Sequence, residues 1–165
     1  MRRESLEGLP ALDVPEGLEL RTLRAGDEAQ WAKLMTGAIG VWDEESTARL
    51  FLGDHGVKQD GVFFLVASDH YVATATDKRL PELQVGYLHM VAVAPLYRGR
   101  GLGRCISLVA LLHMRERGCR RVVLDTDDFR LAAIRTYLRL GFAPDILEAD
   151  HAERWRTIFA ELSAA

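Results

Sequence analysis

The sequence predicts an α/β (α+β) fold in which helices flank a mixed sheet and a further helix closes the chain. Three observations carry this expectation. Gly61–Ala67 (GVFFLVA) and Tyr71–Asp77 (YVATATD) are rich in β-branched and aromatic residues, and the short Ser68–His70 between them suits an antiparallel hairpin. Val85–Val93 is almost continuously apolar, as expected of a central strand covered on both faces. A long apolar helix, Gly101–Gly118, separates it from Arg121–Asp125 (RVVLD), and such a strand–helix–strand unit crosses over right-handed into a parallel pair.

The remaining elements follow in order. Residues 1–17 mix charge with Gly8, Pro10 and Pro15 and are expected to be a loosely ordered lead-in. Leu18–Leu23 alternates apolar and polar residues with period two, a short strand. Gly26–Asp27 opens a helix through about Met35, with Ala29, Trp31 and Leu34 as its apolar contributors, and Thr36–Gly40 breaks it. Asp43 suits the N-cap of a second helix, Glu44–Leu52, ended by Gly53. Leu80–Leu83 carries Pro81 and reads as loop. In the helix Gly101–Gly118, Leu102, Ile106, Val109 and His113 form one stripe that Cys105, Leu108 and Leu112 widen, so it should be pressed onto the sheet. Phe129–Leu140 is a further helix closed by Gly141, and Phe142 starts a short segment beyond it. Asp150-x-x-Glu153 has the form of a capping box before a last helix, Trp155–Leu162, where a terminal strand would otherwise be expected.

Length and composition narrow the function classes. The 165 residues, 48% hydrophobic, suffice for one domain, 1–165. No apolar run is long enough to span a membrane, and the N-terminus lacks the apolar core of a secretory signal, so the expected location is the cytoplasm. Cys105 and Cys119 stand outside any CxxC or Cys/His cluster, which argues against a disulfide framework and against a metal site. A net charge of −3 argues against a nucleic-acid binder. The charge is uneven: residues 78–139 hold 12 Lys/Arg against 5 Asp/Glu, while residues 1–60 hold 7 against 12.

The basic region surrounds Arg98–Gly99–Arg100–Gly101–Leu102–Gly103–Arg104, between the central strand and the long helix. Free N–H groups at a helix start, glycines that admit a ligand to the backbone, and guanidinium groups together make a polyphosphate site. The familiar glycine motifs do not fit. Gly99, Gly101 and Gly103 are spaced two apart, unlike Gly-x-Gly-x-x-Gly, and no Lys-Ser or Lys-Thr pair offers a P-loop. Gly-x-Ser-x-Gly is absent.

What remains is Arg98-x-x-Gly101-x-Gly103, preceded by Val93–Ala94–Pro95–Leu96–Tyr97. Downstream lies Ala133-x3-Tyr137-x3-Gly141–Phe142. The two segments, in this register and order, resemble the signatures of the GCN5-related N-acetyltransferase (GNAT) superfamily, whose acyl-CoA-binding motif is Arg/Gln-x-x-Gly-x-Gly/Ala. The resemblance covers nearly the whole chain. It implies a mostly antiparallel central sheet with one splayed parallel pair. It also implies acetyl-CoA as acyl donor, no metal, and direct transfer of acetyl to a small amine or an exposed amino group. A homodimer is one state common in the family. By this resemblance the cofactor contacts are Met90, Val91, Ala92 and Val93 through their main chain, and Arg98, Gly99, Arg100, Gly101, Leu102, Gly103 and Arg104 at the cradle.

Acyl transfer to an amine needs a neutral nitrogen, a donor to the oxyanion and a proton for the leaving thiolate. The Val91 N–H is the candidate oxyanion donor. Tyr137 matches the family tyrosine that protonates the sulfur; its other reading is a core aromatic. Tyr87 and His89 alternate on one face of the strand and are the candidates for proton acceptance. Family members often carry Glu at the place of Tyr87, and aralkylamine N-acetyltransferases carry histidines at both. His89 titrates near neutrality and could act directly or through water, or be a packed core histidine. Arg130 stands where relatives carry Asn; it either reaches a CoA phosphate or balances Asp127 and Asp128. Two other functions stay open: a non-catalytic acyl-CoA-binding or regulatory domain, and an acyltransferase with a different donor or acceptor.

Overall fold

A computed structural model describes residues 1–80 and 84–164. Its strands are β1 (Arg2–Arg3), β2 (Leu18–Thr22), β3 (Val57–Ala67), β4 (His70–Leu80), β5 (Val85–Val93) and β6 (Arg121–Val123), in the sheet order β1-β6-β5-β4-β3-β2. Every neighbouring pair is antiparallel except β5–β6, which is parallel. The helices are α1 (Glu28–Met35), α2 (Glu44–Ser46, continued by a π-helical turn Thr47–Phe51), α3 (Leu102–Glu116), α4 (Leu131–Arg139) and α5 (His151–Ala164). This is the mixed, mostly antiparallel sheet with one parallel pair that the sequence predicts.

The apolar pattern assigns the layers. Along β3, Phe63 and Leu65 join the core beneath α3, while Val62, Phe64 and Val66 join the core beneath α1. Burial on both faces is what makes β3 and β5 read as continuous apolar runs. The α3 stripe behaves as its periodicity requires: Leu102, Ile106 and Val109 are buried with Cys105 and Leu108. His113, at its end, pairs with buried Asp77 of β4 at 2.8 Å. On α1, Ala32 and Met35 are buried alongside Trp31 and Leu34, whereas Ala29 faces outward, contrary to its expected share in the apolar face.

The N-terminal expectation is corrected. Arg2 and Arg3 pair with Val123 and Val122, Leu6 is buried, and the Asp13 carbonyl accepts from the Cys105 thiol at 3.5 Å. Two arginines carry no apolar alternation, and the ladder they join lies far away in sequence, so no local pattern announces it. The Arg3 guanidinium donates to the Leu140 carbonyl at 2.6 Å, capping α4 from outside; a Cβ on Gly141 would collide with it.

Asp43 does cap α2: its Oδ1 accepts from the Ser46 N–H at 2.7 Å, and the Ser46 hydroxyl accepts from the Asp43 N–H at 2.9 Å. Asp27 also sits at a helix start, but its carboxylate turns away from α1. It receives both Arg21 Nη atoms, at 2.8 and 2.9 Å, the Arg24 N–H at 2.7 Å and the Tyr71 hydroxyl at 2.5 Å. That buried hub fixes β2, α1 and β4 to one another. Of the expected loop Leu80–Leu83, Leu80 ends β4, and residues 81–83 lie outside the described residues.

Candidate active site

The site begins where β5 loses its parallel neighbour. Pairing to β6 runs from Val85↔Arg121 to Tyr87↔Val123, yet β5 continues to Val93. Past Tyr87 the two strands diverge, and that edge of β5 keeps main-chain groups that β6 does not take. On its other edge, pairing with β4 jumps from Thr76↔His89 to Thr74↔Ala92. Met90 and Val91 thus oppose the single residue Ala75, a β-bulge in which Met90 adopts φ 50°. The bulge interrupts side-chain alternation. His89 meets Phe51 and Met90 packs in the α1-side core, whereas Val91 and Val93 join the α3 side.

The chain then turns through the 3-10 segment Pro95–Tyr97 into the glycine loop. Gly99 and Gly101 both have φ 78°, and a Cβ at either would meet nothing within 4 Å. These two glycines are therefore required by backbone conformation and not by crowding from the protein. Gly103 has an ordinary helical φ, and a Cβ there would touch Val93 Cγ2 at 3.6 Å. The first bond of α3 is Cys105 N–H to the Gly101 carbonyl at 3.0 Å. Helix geometry then leaves the N–H groups of Leu102, Gly103 and Arg104 without intrahelical partners, at the positive end of a 15-residue helix.

A cleft of about 830 Å³ joins these parts. Its wall contains Val91, Ala92 and Val93 of β5, Arg98, Gly99, Gly101, Leu102, Gly103 and Arg104 of the loop and α3, and Arg130 and Tyr137 at α4. Thus most of the residues singled out from sequence meet in one place. Two do not line it. Met90 faces the α1-side core, and the Arg100 guanidinium lies over the Tyr97 ring at 5.2 Å. Arg98 Nε donates to the Val93 carbonyl at 3.2 Å, tying the loop back to the strand. Arg135 and Arg139, one turn apart on α4, add to the cationic lining and carry no motif that sequence reasoning singled out.

Tyr137 is buried and packs against Phe142, with ring centroids 6.0 Å apart. Burial pushes its phenol up to about 12, so the hydroxyl keeps its proton throughout the neutral range. Arg130 adopts neither expected role in pure form. Its Nε pairs with Asp127 at 2.6 Å, and its Nη1 donates across the cleft to the Ala38 carbonyl at 2.7 Å. It thereby clasps α4 to the Gly37–Gly40 loop, whose Gly37 and Ala38 line the cleft opposite. Asp128 belongs instead to Arg154 of α5, at 2.8 and 2.9 Å.

Tyr87 and His89 lie outside the cleft lining, on the α1 face of β5, with their rings 5.2 Å apart. The Tyr87 hydroxyl donates to Asp125 Oδ2 at 2.7 Å, and burial together with that carboxylate raises its pKa. Burial lowers the pKa of His89, and nearby Lys78 lowers it further, so at neutral pH the imidazole is free to accept a proton. Lys78, the cross-strand partner of Tyr87, pairs with Asp54 at 2.5 Å. Asp125 as the partner of Tyr87 escaped the sequence reading. The signal was there, since in a parallel pair that matches Tyr87 with Val123 the C-terminal end of β6 reaches the same edge.

The comparisons agree with this geometry. The family model described as Acetyltransferase (GNAT) family matches residues 27–142. Two mycothiol acetyltransferases are similar in sequence. That of Nocardia farcinica is 33% identical over 162 residues, covering 87% of this chain and 51% of that protein. That of Thermobispora bispora is 32% identical, covering 86% and 52%. The chain thus spans about half the length of the curated relatives it matches. Among solved structures, the ribosomal-protein-S18-alanine N-acetyltransferase of Escherichia coli superposes with a TM-score of 0.66 at 22% identity, covering 78% of this chain and 79% of that one. The GCN5-related N-acetyltransferase of Sphaerobacter thermophilus superposes with a TM-score of 0.63 at 25% identity, covering 85% and 46%. With the family match spanning the hub at Asp27, the bulged strand, the glycine loop and the Tyr137–Phe142 turn, this chain belongs to the GNAT acetyltransferase family.

Proposed function

We propose that this chain transfers an acetyl group from acetyl-CoA to a primary amine by direct attack on the thioester. The observation that carries the reading is the meeting, in one cleft, of the glycine–arginine loop at the α3 N-terminus, the unpaired edge of bulged β5 and the buried Tyr137. The residues fit the donor. The N–H groups of Leu102–Arg104 and the guanidinium groups of Arg98 and Arg104 suit a pyrophosphate, and the edge at Val91–Val93 that β6 leaves unpaired suits an amide-bearing arm, which there competes with Arg98 for the Val93 carbonyl. The family uses acetyl-CoA as donor; it supplies an activated acyl carbon and a thiolate leaving group.

The chain's own groups supply the rest. The Val91 N–H, aimed by the bulge, stabilises the oxyanion as the amine nitrogen bonds to the acyl carbon. The Tyr137 hydroxyl gives its proton to sulfur as the C–S bond breaks. His89 takes the proton that the amine nitrogen sheds, and solvent returns a proton to Tyr137. The acceptor is a small amine or an exposed amino group.

The test is CoA-thiol release over a panel of amines, with mass detection of the acetylated product. Amine-dependent release supports the reading. Saturable acetyl-CoA binding, seen as thermal protection, with no amine raising thiol release overturns it in favour of a binding module.

A further inference from the structure

Around His89 the charges are unequally partnered. Asp54 is held by Lys78 at 2.5 Å. In the run Asp125–Asp128, Asp127 is held by Arg130 and Asp128 by Arg154. Asp125 is exposed, and among the described residues it is engaged in no ion pair; its side-chain contact is the neutral Tyr87 hydroxyl, at 2.7 Å. The amino terminus comes near by donating to the Leu124 carbonyl at 2.8 Å; burial lowers its pKa, and the charge of Asp125 partly opposes that.

The position is as telling as the missing partner. Asp125 lies just past the C-terminal end of β6, beside the point where β5 runs on alone. In open sheets with parallel strands, ligands settle outside the carboxyl ends at such a break. Tyr87 connects that carboxylate to His89 along the α1 face of β5, the face turned away from the glycine loop's helix. Asp54, Asp127 and Asp128 each sit in a direct ion pair, whereas the amino terminus acts on Asp125 only from beyond ion-pair distance, so an incoming cation finds an exposed carboxylate open to direct contact beside the proton acceptor.

We propose that Asp125 is the acceptor-recognition residue: it binds the ammonium group of a cationic primary amine, and the Tyr87 hydroxyl holds its carboxylate in place for this. The inference rests on the acetyltransferase reading and names the acceptor class for it. A charge-assisted contact of this kind favours an alkylammonium over a neutral alcohol of the same shape. The ammonium first gives one proton to His89, which passes it to solvent, and attacks as the neutral amine; His89, neutral again, then takes the second proton that nitrogen sheds as the C–N bond forms. No proton remains on Asp125.

The experiment is an NMR titration of the CoA-saturated protein with n-butylammonium and, separately, n-butanol at pH 7, read at the Tyr87 and His89 ring signals. An alkylamine is fully protonated at that pH, since amines of this type titrate near about 10.4. The expected result is saturable shifts at both rings with butylammonium, a Kd at least about tenfold higher in Asp125→Asn, a smaller increase in Tyr87→Phe, and no saturation with butanol. An equal response to both probes, or an Asp125→Asn protein that binds butylammonium as tightly as the parent, overturns the proposal. Because binding is read without turnover, saturable butylammonium binding without amine-stimulated thiol release would leave Asp125 in place and remove the acetyltransferase reading instead.

Discussion

Gly101 and Gly103 stand two residues apart in one cradle, and the structure assigns them opposite sensitivities. Gly101 sits at φ 78° with open space where a Cβ would be. Alanine there meets no clash and suffers only the left-handed conformation, about 1–2 kcal/mol. The stiffer unfolded chain offsets about 0.4–1 kcal/mol of that. The net loss is therefore about 1 kcal/mol, or roughly 2–4 °C in Tm for a chain of this size. Gly103 is helical, and its Cβ would make an ordinary 3.6 Å contact with Val93. Alanine there removes the helix penalty of glycine and should stabilise by about 0.5–1 kcal/mol. Ligand binding should separate the two further. Relaxing Gly101 from its left-handed φ re-aims the N–H groups of Leu102 and Gly103, and a misdirected hydrogen bond to a charged group costs about 1.5–3 kcal/mol, roughly 10- to 100-fold in CoA affinity. Gly103→Ala leaves those donors in place, so CoA affinity should stay within about threefold. Thermal melts of the apo proteins and calorimetric CoA titrations measure both quantities. If Gly101→Ala melts like the parent and binds CoA as tightly, or if Gly103→Ala loses CoA, then the cradle does not work through the backbone N–H groups of the α3 terminus.

Four further outcomes follow from other parts of the molecule. Tyr137→Phe keeps the ring packed on Phe142 but removes the proton donor, so turnover should fall by about 10²–10⁴ while CoA affinity is unchanged; equal turnover would remove Tyr137 as the acid. With the phenol pushed up to about 12, the parent enzyme should show no alkaline loss of rate from this group below pH 10, whereas activity should fall at acid pH as His89 becomes protonated, a limb that His89→Ala should abolish. Arg130→Ala opens the clasp to Ala38, so stopped-flow CoA release should speed up by several-fold; an unchanged release rate would reduce that hydrogen bond to local packing. Gly86→Ala drives a Cβ to 2.5 Å from Met114 Sδ of α3, and the overpacking should destabilise the fold by about 1–3 kcal/mol in urea melts.

What was legible in the sequence was whatever local pattern encodes. β5 is found at Val85–Val93 as read, because a two-face-buried strand is continuously apolar. The expected helix Gly101–Gly118 appears as Leu102–Glu116, because its stripe and its flanking glycines are both local. The last helix begins at His151, earlier than its first aromatic residue, since the Asp150 main-chain carbonyl accepts from the Glu153 and Arg154 N–H groups and starts the turn; the Asp150 carboxylate, expected to cap it, turns to Arg154 instead. β1 was missed, because two arginines gain strand geometry only from a distant edge. The polar start of β3, Lys58–Asp60, was missed because it lacks alternation and gains its strand geometry from the hairpin with β4. The bulge at Met90 leaves no sequence mark either: methionine has no preference for φ 50°, and the conformation is imposed by β4 on one side and the divergence of β6 on the other. The same holds for the Arg130 clasp and the Asp125–Tyr87 bond. Each joins segments far apart in sequence, so each depends on a register that only the assembled sheet defines.

The central claim is that the β5 edge and the α3 terminus together hold acyl-CoA. Amide hydrogen exchange with and without saturating CoA tests it residue by residue. CoA should slow exchange at Val91–Val93 and at Gly99–Arg104, while the β2–β3 ladder on the far side of the sheet changes little beyond the global stabilisation that ligand binding confers. Protection confined to another surface, or an unchanged Gly99–Arg104 segment in CoA-saturated protein, would contradict it.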